Sequence, residues 1–238
     1  MTDRTFRIAL FPGDGIGEEV MRPCVALIEA AAQKSGGFAL HFDRLPAGAG
    51  CYADTGESLP AASLEAARRA DAILLAAMGL PDVRYPDGTE ISPQIELRME
   101  LRLYAGVRPI RAIPGVSPVL ADPRAAGLDL VIIRESTEGL FASHGKGELR
   151  DDAEARDTLV ITRDVSERLF HFACRLAAKR RLEGLPGRVT CVDKANVFRS
   201  FAFFRRVFDE TGFARKIVVV EAPEPYVGTT FLDALPYE

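Results

Sequence analysis

The chain is predicted to be an α/β protein on three observations. Phe6 to Phe11 is an apolar run that ends in a glycine loop, Pro12 to Gly17, and passes into an amphipathic stretch reaching about Lys34. Asp71 to Met78 is a continuous apolar run of the kind buried on both faces of a parallel sheet. Between and after these, strand-like and helix-like segments alternate as far as Asp209 instead of segregating, which is the pattern of strands covered by helices.

Taken in order, Phe6 to Phe11 is the first strand, and the helix after Gly17 should bury Val20, Cys24, Leu27, Ile28 and Ala31, with a bend at Pro23. Phe38 to Phe42 is a second strand and Gly48 to Gly56 a loop. Leu59-Pro60 opens a helix carrying Leu64, Ala67 and Arg68. Ser92 and Pro93, a cap and a first-turn proline, start a helix in which Leu97, Leu101 and Tyr104 repeat at helical spacing, so that Arg98 and Arg102 share a face. Tyr104 to Ile110 alternates as a short extended run with Arg108 near its end, and Leu128 to Ile133 is a strand that delivers Arg134 at its carboxyl end. Ser143 to Arg156 mixes glycine and charge as a surface hairpin, and Thr158 to Thr162 alternates as a strand. Asp164 and Glu167 form a capping box for a helix with the stripe Val165, Leu169, Phe172, Ala173 and Leu176, ending in Lys179, Arg180 and Arg181. Arg188 to Val192 is a strand, Asp193 to Asn196 a turn, and Val197 to Asp209 a phenylalanine-rich helix.

A chain of 238 residues with 47% hydrophobic and 27% charged content can bury the core of one large or two small domains. A formal net charge of -4 and a pI near 5.6 supply no basic face for nucleic acid, so the expected ligand is a small molecule. Cys24, Cys51, Cys174 and Cys191 are far apart and lack a Cys-x-x-Cys pair, which suggests neither a zinc site nor a disulfide framework and fits a reducing cytoplasm. No apolar run approaches the length of a signal core or a membrane span, so a soluble, untargeted protein is expected.

The glycine loop invites a dinucleotide-binding reading, because Gly13-x-Gly15 follows a strand and precedes a helix and Asp43 lies where a ribose-binding acid would sit. Against it, the third glycine is expected at position 18, where Glu18 stands, with Gly17 one residue early. A carboxylate at a helix start also repels a pyrophosphate that the helix dipole attracts.

Arginine carries the other functional signal. Two arginines beside Glu96 and Glu100 form an ordinary solvated face, or they form part of a polycarboxylate site, since a guanidinium fork suits a carboxylate held by two hydrogen bonds. Arg134-Glu135 likewise reads as a structural ion pair or as a ligand position at the carboxyl end of a strand. Asp193 reads as a helix cap, and Lys194, taken alone, as an exposed turn residue.

In fixed order the chain carries Gly13-Asp14-Gly15-Ile16-Gly17, Arg98, the Arg108-Pro109 pair after an aromatic residue, Arg134-Glu135-Ser136-Thr137-Glu138-Gly139, and Val192-Asp193-Lys194-Ala195-Asn196-Val197. Together these resemble the isopropylmalate and isocitrate dehydrogenase family, the β-decarboxylating dehydrogenases of 2-hydroxy acids, from about Arg7 to about Glu210. The resemblance implies an α/β, isopropylmalate dehydrogenase-like two-domain fold, truncated, with an incomplete large domain. The parts are residues 1–108 as the start of the large domain, 109–210 as a small domain with a dimerisation arm near 141–162, and 211–238 as a divergent tail.

The resemblance also implies the chemistry. Arg98, Arg108 and Arg134 would hold the carboxylates of a dicarboxylate or tricarboxylate, with Ser92 and Gln94 meeting the variable substituent. Lys194 would accept the hydroxyl proton, and Asn196 and Ile16 would lie near an NAD or NADP cofactor. Mg2+ or Mn2+ would polarise the C2 oxygen, and the protein would be a homodimer. Two departures stand out. Phe141 occupies the position of a tyrosine whose hydroxyl returns a proton to the enolate, and a phenyl ring has no proton to give. Past Glu210 no metal-binding aspartate motif or adenine loop is evident, and Asp233 is not assigned to metal, so no metal ligand is named. The expectation is a decarboxylating dehydrogenase that is inactive or impaired alone. The alternative is a catalytically silent remnant or a substrate-sensing subunit.

Overall fold

A computed structural model describes residues 4–117 and 120–211, together with the backbone of 220–221. The chain forms two compact units that divide between Arg102 and Leu103.

The first unit is built on a three-stranded parallel sheet. Strand β1 (Arg4–Phe11) lies in the middle, with β2 (Phe38–Arg44) on one side and β3 (Ala72–Leu75) on the other. Thr5 pairs with Ala39 and Leu10 with Leu74, so all three strands end at the same edge. Helices α1 (Ile16–Ser35), α2 (Ala49–Thr55), α3 (Ala61–Arg69) and α4 (Pro93–Glu100) connect or follow them. Ala9, Phe11, Ala47, Ala67 and Leu97 make the buried core, with Leu64, Ile73 and Leu101 packed around it. Leu97 on α4 is therefore the apolar anchor that fixes the helix carrying Arg98.

Several local expectations shift. The segment expected as a loop between Gly48 and Gly56 contains α2, which is short and lies between two glycines at positive φ. Helix α1 buries Gly17 and Met21, whereas Val20 and Leu27, expected on the inner face, are exposed, Leu27 to 71%. The inner face thus begins at Gly17, which lies against the Ala77 carbonyl just beyond β3 where a side chain would not fit. Helix α1 continues through Pro23. Helix α4 ends at Glu100, so Arg102 does not share its face with Arg98; it follows the helix at φ 51°, a left-handed conformation that glycine adopts more easily.

The second unit contains an antiparallel ribbon of β4 (Ala105–Arg111) and β5 (Asp129–Glu135), a short exposed hairpin of β6 (Glu148–Arg150) and β7 (Glu154–Arg156), and helices α5 (Arg163–Leu182) and α6 (Arg199–Glu210). The short strand β8 (Val192–Asp193) pairs in parallel with β9 (Val220–Glu221). Thr158 to Thr162 is not a strand; Val160 alone bridges to Gly139. Phe170, Cys191, Val207 and Phe208 are the buried core, with the Phe170 ring 4.7 Å from Phe204 and 4.9 Å from Phe208. The stripe of α5 keeps Leu169 and Ala173 as expected but continues through Phe170, Cys174 and Ala177, leaving the expected Phe172 and Leu176 half-buried at its margin. Its cap is Thr162, whose hydroxyl accepts from the Val165 amide, and not Asp164. Arg180 ties α5 to the ribbon by donating to the backbone and carboxylate oxygens of Asp129 at 3.0 and 2.7 Å.

No helix among the described residues is long and apolar enough to cross a membrane. The four cysteines are free thiols.

Candidate functional site

The glycine loop is a structural clamp. Asp14 is buried, and its carboxylate accepts hydrogen bonds from the amides of Ala49, Gly50 and Gly79 at 2.7 to 2.8 Å. Two of these amides open α2, which follows β2, and the third lies in the loop after β3, so one side chain closes the carboxyl edge of the sheet. The Asp14 amide donates to the Ala77 carbonyl, and the Gly17 amide to the Asp14 carbonyl. A Cβ on Gly13 or Gly17 would collide with the Ala77 carbonyl oxygen, which is why glycine occupies both positions. Amides spent in this way do not cradle a pyrophosphate. Asp43 is committed as well: Arg7 donates to it through Nε and Nη2 at 3.3 and 2.8 Å, and His41 lies 3.1 Å away. The hydrogen bond from Arg7 holds the Asp43 carboxyl below the usual carboxylate range. Two of the loop's amides, and the acid that a dinucleotide-binding reading would use, are thus committed within the fold.

In the same unit, Ser92 and Pro93 are buried at the start of α4. Ser92 occupies the cap position but makes no side-chain capping bond. The Gln94 Oε1 atom is shielded from solvent and has no hydrogen-bond partner among the described residues, an arrangement that costs free energy until a donor arrives. Glu96, two residues on, is held by the Ser58 hydroxyl at 3.1 Å and the Tyr85 hydroxyl at 3.4 Å, which fixes the helix in rotation. Arg98 is half-buried and makes no ion pair among the described residues of its unit.

The ribbon of the second unit places two arginines on one face. Residues directly opposite in an antiparallel pair point to the same side; Arg108 lies opposite Ile132 and Arg134 opposite Gly106. Arg108 and Arg134 are thus diagonal neighbours, with backbone positions about 7–8 Å apart. Both are exposed, and among the described residues neither pairs with a carboxylate. By contrast, Arg111 and Arg180, on or against the same ribbon, are both committed to Asp129. Glu135, beside Arg134, is occupied: its carboxylate accepts from the Thr137 amide and hydroxyl and from the Glu138 amide at 2.6 to 2.8 Å. The alternative of an Arg134-Glu135 ion pair is not what forms. The Arg134 guanidinium instead lies over the Phe141 ring, 5.3 Å from its centroid.

Lys194 is 5% exposed, not the solvated turn residue that its position suggested. It follows β8, and its carbonyl accepts from the amides of Val197 and Phe198 at the start of α6. Its neighbour Asp193 is fully buried as a side chain and takes a two-pronged bond from Arg205 on α6, Nε at 2.6 Å and Nη2 at 2.9 Å, plus one from the Ala195 amide. Asp193 therefore bolts the Lys194 turn to α6 instead of capping the helix. The adjacent Cys191 thiol is pushed up to about 12, first by burial and then by the Asp193 charge. Asn196 and Ile16 are both exposed. Sequence reasoning missed Asp14, Arg205 and the seating of Arg134 on Phe141; only the glycines around Asp14 offered a signal.

The profile of the family described as isocitrate/isopropylmalate dehydrogenase matches residues 7–235. The chain belongs to this family. The match runs past Glu210, as far as residue 235; Asp233 lies outside the described residues. A 3-isopropylmalate dehydrogenase of Staphylococcus aureus (strain Mu50 / ATCC 700699) is 37% identical over 208 residues, covering 87% of this chain and 58% of that protein. The 3-isopropylmalate dehydrogenase of Synechococcus sp. (strain CC9605) is 35% identical over 201 residues, 80% of this chain and 54% of that protein. Among solved structures, an isocitrate dehydrogenase from Methylococcus capsulatus superposes with a TM-score of 0.72 at 29% identity, covering 91% of this chain and 60% of that one. A β-decarboxylating dehydrogenase from Thermococcus kodakarensis gives 0.65 at 33% identity, with coverage of 91% and 57%. The isopropylmalate dehydrogenase-like α/β fold is thus present, and the chain spans somewhat over half the length of these relatives.

Proposed function

We propose that the chain contributes the substrate-binding and proton-accepting side of an NAD- or NADP-dependent oxidative decarboxylation of a 3-carboxy-2-hydroxy acid, of the isopropylmalate, isocitrate or tartrate type. The observation that carries this reading is the pair Arg108 and Arg134, side by side on one ribbon face without carboxylate partners among the described residues. An exposed guanidinium left unpaired beside others that are paired is available for a ligand anion, and two at this spacing suit the two carboxylates of one small acid. Arg98 is assigned a third carboxylate contact, and Ser92 and Gln94 the substituent. In this scheme Lys194 accepts the proton of the C2 hydroxyl, and a nicotinamide, if bound, would take the C2 hydride. Loss of carbon dioxide from the resulting β-keto acid passes the electrons of the broken C–C bond to the adjacent ketone, giving an enolate that takes its proton from water. Asn196 and Ile16 are assigned to the cofactor side.

Among the described residues no group of three or more His, Cys, Asp or Glu side chains lies together as a metal site would. The exposed β6–β7 hairpin is assigned to pairing with a second copy, since an isolated two-stranded hairpin is marginal in water. A reducing cytoplasm is the compartment that suits four free thiols.

Phe141 supports a second reading, a substrate-sensing chain, because its ring cannot return a proton to an enolate. Calorimetry with isopropylmalate, isocitrate, malate and tartrate tests the shared premise. Arg108→Ala or Arg134→Ala should weaken binding at least ten-fold, each charge-assisted contact being worth about 1.5–3 kcal/mol. Undiminished affinity in both variants rejects the site. Turnover with NAD or NADP and Mg2+ or Mn2+ then favours the dehydrogenase reading, and binding without turnover the sensor.

A further inference from the structure

We propose that Phe141 is a positioning residue for Arg134: its ring face fixes the plane of the guanidinium so that the N–H fork points at a ligand carboxylate. The inference rests on the reading of Arg134 as a carboxylate-binding residue and adds a role to a position that the chemistry of the family leaves without one in this chain.

Four observations lead to it. The guanidinium carbon of Arg134 is 5.3 Å from the Phe141 centroid, inside the range of a cation–π contact. The residue opposite Arg134 in the ribbon is Gly106, which has no side chain to support the arginine from its own sheet. Glu135, the carboxylate nearest in sequence, is spent on the Thr137 and Glu138 backbone and on the Thr137 hydroxyl, so it does not draw the guanidinium away.

The fourth is that the ring is mounted on a fixed turn. Phe141 lies in a single 3-10 turn, Leu140–Ser143. At one end Gly139 and Val160 exchange amide–carbonyl bonds of 2.7 and 3.1 Å. At the other, the Ser143 hydroxyl donates to the Thr158 carbonyl at 2.7 Å and accepts from the Thr158 amide at 2.8 Å. Glu138, just before the turn, accepts from the Thr162 amide and hydroxyl. A turn tied at both ends holds its aromatic ring in place at no cost to the arginine.

Geometry explains why a ring is the right support. All five N–H groups of a guanidinium lie in its plane, and its two faces carry none. A carboxylate support would consume donors at the edge. A ring occupies one face and leaves every donor for the ligand, while restricting the rotation of a long side chain that otherwise loses entropy on binding. The ligand class is a small dicarboxylate whose second anion meets Arg108 on the same ribbon face.

The test is a double-mutant cycle read by calorimetry with malate on the full chain: wild type, Phe141→Leu, Arg134→Ala and the double variant. Phe141→Leu should bind about two- to five-fold more weakly, which is an exposed cation–π contact converted at about 1.4 kcal/mol per factor of ten. In the Arg134→Ala background the same substitution should have no effect, whereas a merely structural role would act in both. The sequence contains no tryptophan, so Phe141→Trp adds a single fluorophore at the contact. Its emission should change saturably with malate, and differ without ligand between Phe141→Trp and Phe141→Trp/Arg134→Ala. Wild-type affinity in Phe141→Leu, or equal loss in both backgrounds, overturns the proposal. If wild type binds no dicarboxylate, the carboxylate reading of Arg134 fails by itself; identical ligand-free emission of the two tryptophan variants then overturns the ring contact independently.

Discussion

In the glycine loop of the first unit a single carboxylate, Asp14, is buried and answered by three backbone amides, whereas on the ribbon of the second unit Arg108 and Arg134 stand exposed with no acid partner among the described residues. Both regions carry family motifs, and both read from sequence as ligand sites. The difference lies in what is left over. A buried charge must be satisfied from within the fold because leaving it bare costs several kcal/mol, so its partners are internal and its role is architectural. An exposed charge is satisfied by water, gives little to stability, and remains available to exchange that water for a ligand. A motif residue can thus be sorted by whether its donors or acceptors are already spent.

The largest effect should come from breaking a buried charge in the second unit, which separates burial from location as the deciding factor. Arg205→Met leaves Asp193 fully buried without its guanidinium, and should lower unfolding free energy by about 3–5 kcal/mol in urea titrations. Asp14→Asn keeps the volume but turns an acceptor into a donor facing amides. It should cost about 2–4 kcal/mol by the same measurement, since each buried donor left bare costs about 1–3 kcal/mol. Arg108→Ala and Arg134→Ala, for all their effect on binding, should stay within about 0.5 kcal/mol of wild type. Destabilisation of the arginine variants equal to that of Asp14→Asn would erase the distinction.

The smallest effect tests the intermediate case, Asp129, which is half-buried and shared between Arg180 and Arg111. Hydrogen bonding from Arg180, helped by the charges of Arg180 and Arg111, holds its carboxyl below the usual carboxylate range. A depressed folded-state value means that the stabilisation is present above the unfolded pKa, about 3.9, and is lost as pH falls through the lower folded value. The stability gap between wild type and Arg180→Met should therefore be open at pH 7 and narrow below about pH 4. A gap that does not depend on pH would mean that Arg180 acts through packing alone.

Local chemistry was legible in the sequence where it repeats along the chain, and hidden where it depends on distant partners. The β1–loop–α1 unit and the run ending in Arg108 follow from side-chain alternation and from turn residues. Helix α2 was hidden because it is only seven residues long between glycines, and glycine reads as loop. The α5 stripe slipped because Phe172 and Phe170 are equally apolar; the choice between them is made by Phe204 and Phe208 on another helix. Asp164 and Glu167 satisfied the capping pattern, yet Thr162 caps, held by Glu138 from 24 residues away. The Lys194 motif was visible, but the turn that carries it is tied to α6 by the Asp193–Arg205 bond, which spans twelve residues and leaves no periodic trace.

The placement of the four thiols gives the molecule an internal clock for its own opening. Cys24 and Cys51 lie half-exposed in the first unit, while Cys174 and Cys191 are buried in the second. Burial pushes the Cys191 thiol up to about 12 and shields it from solvent, so Cys191 is chemically silent while its core is closed. Alkylation of Cys191 then counts excursions of the Phe170–Phe208 core, and alkylation of Cys24 and Cys51 proceeds from the native state. Mass spectrometry of a single labelling time course would resolve the two units by the order in which their cysteines react, so that the breathing of the lysine-bearing core can be timed without any added probe.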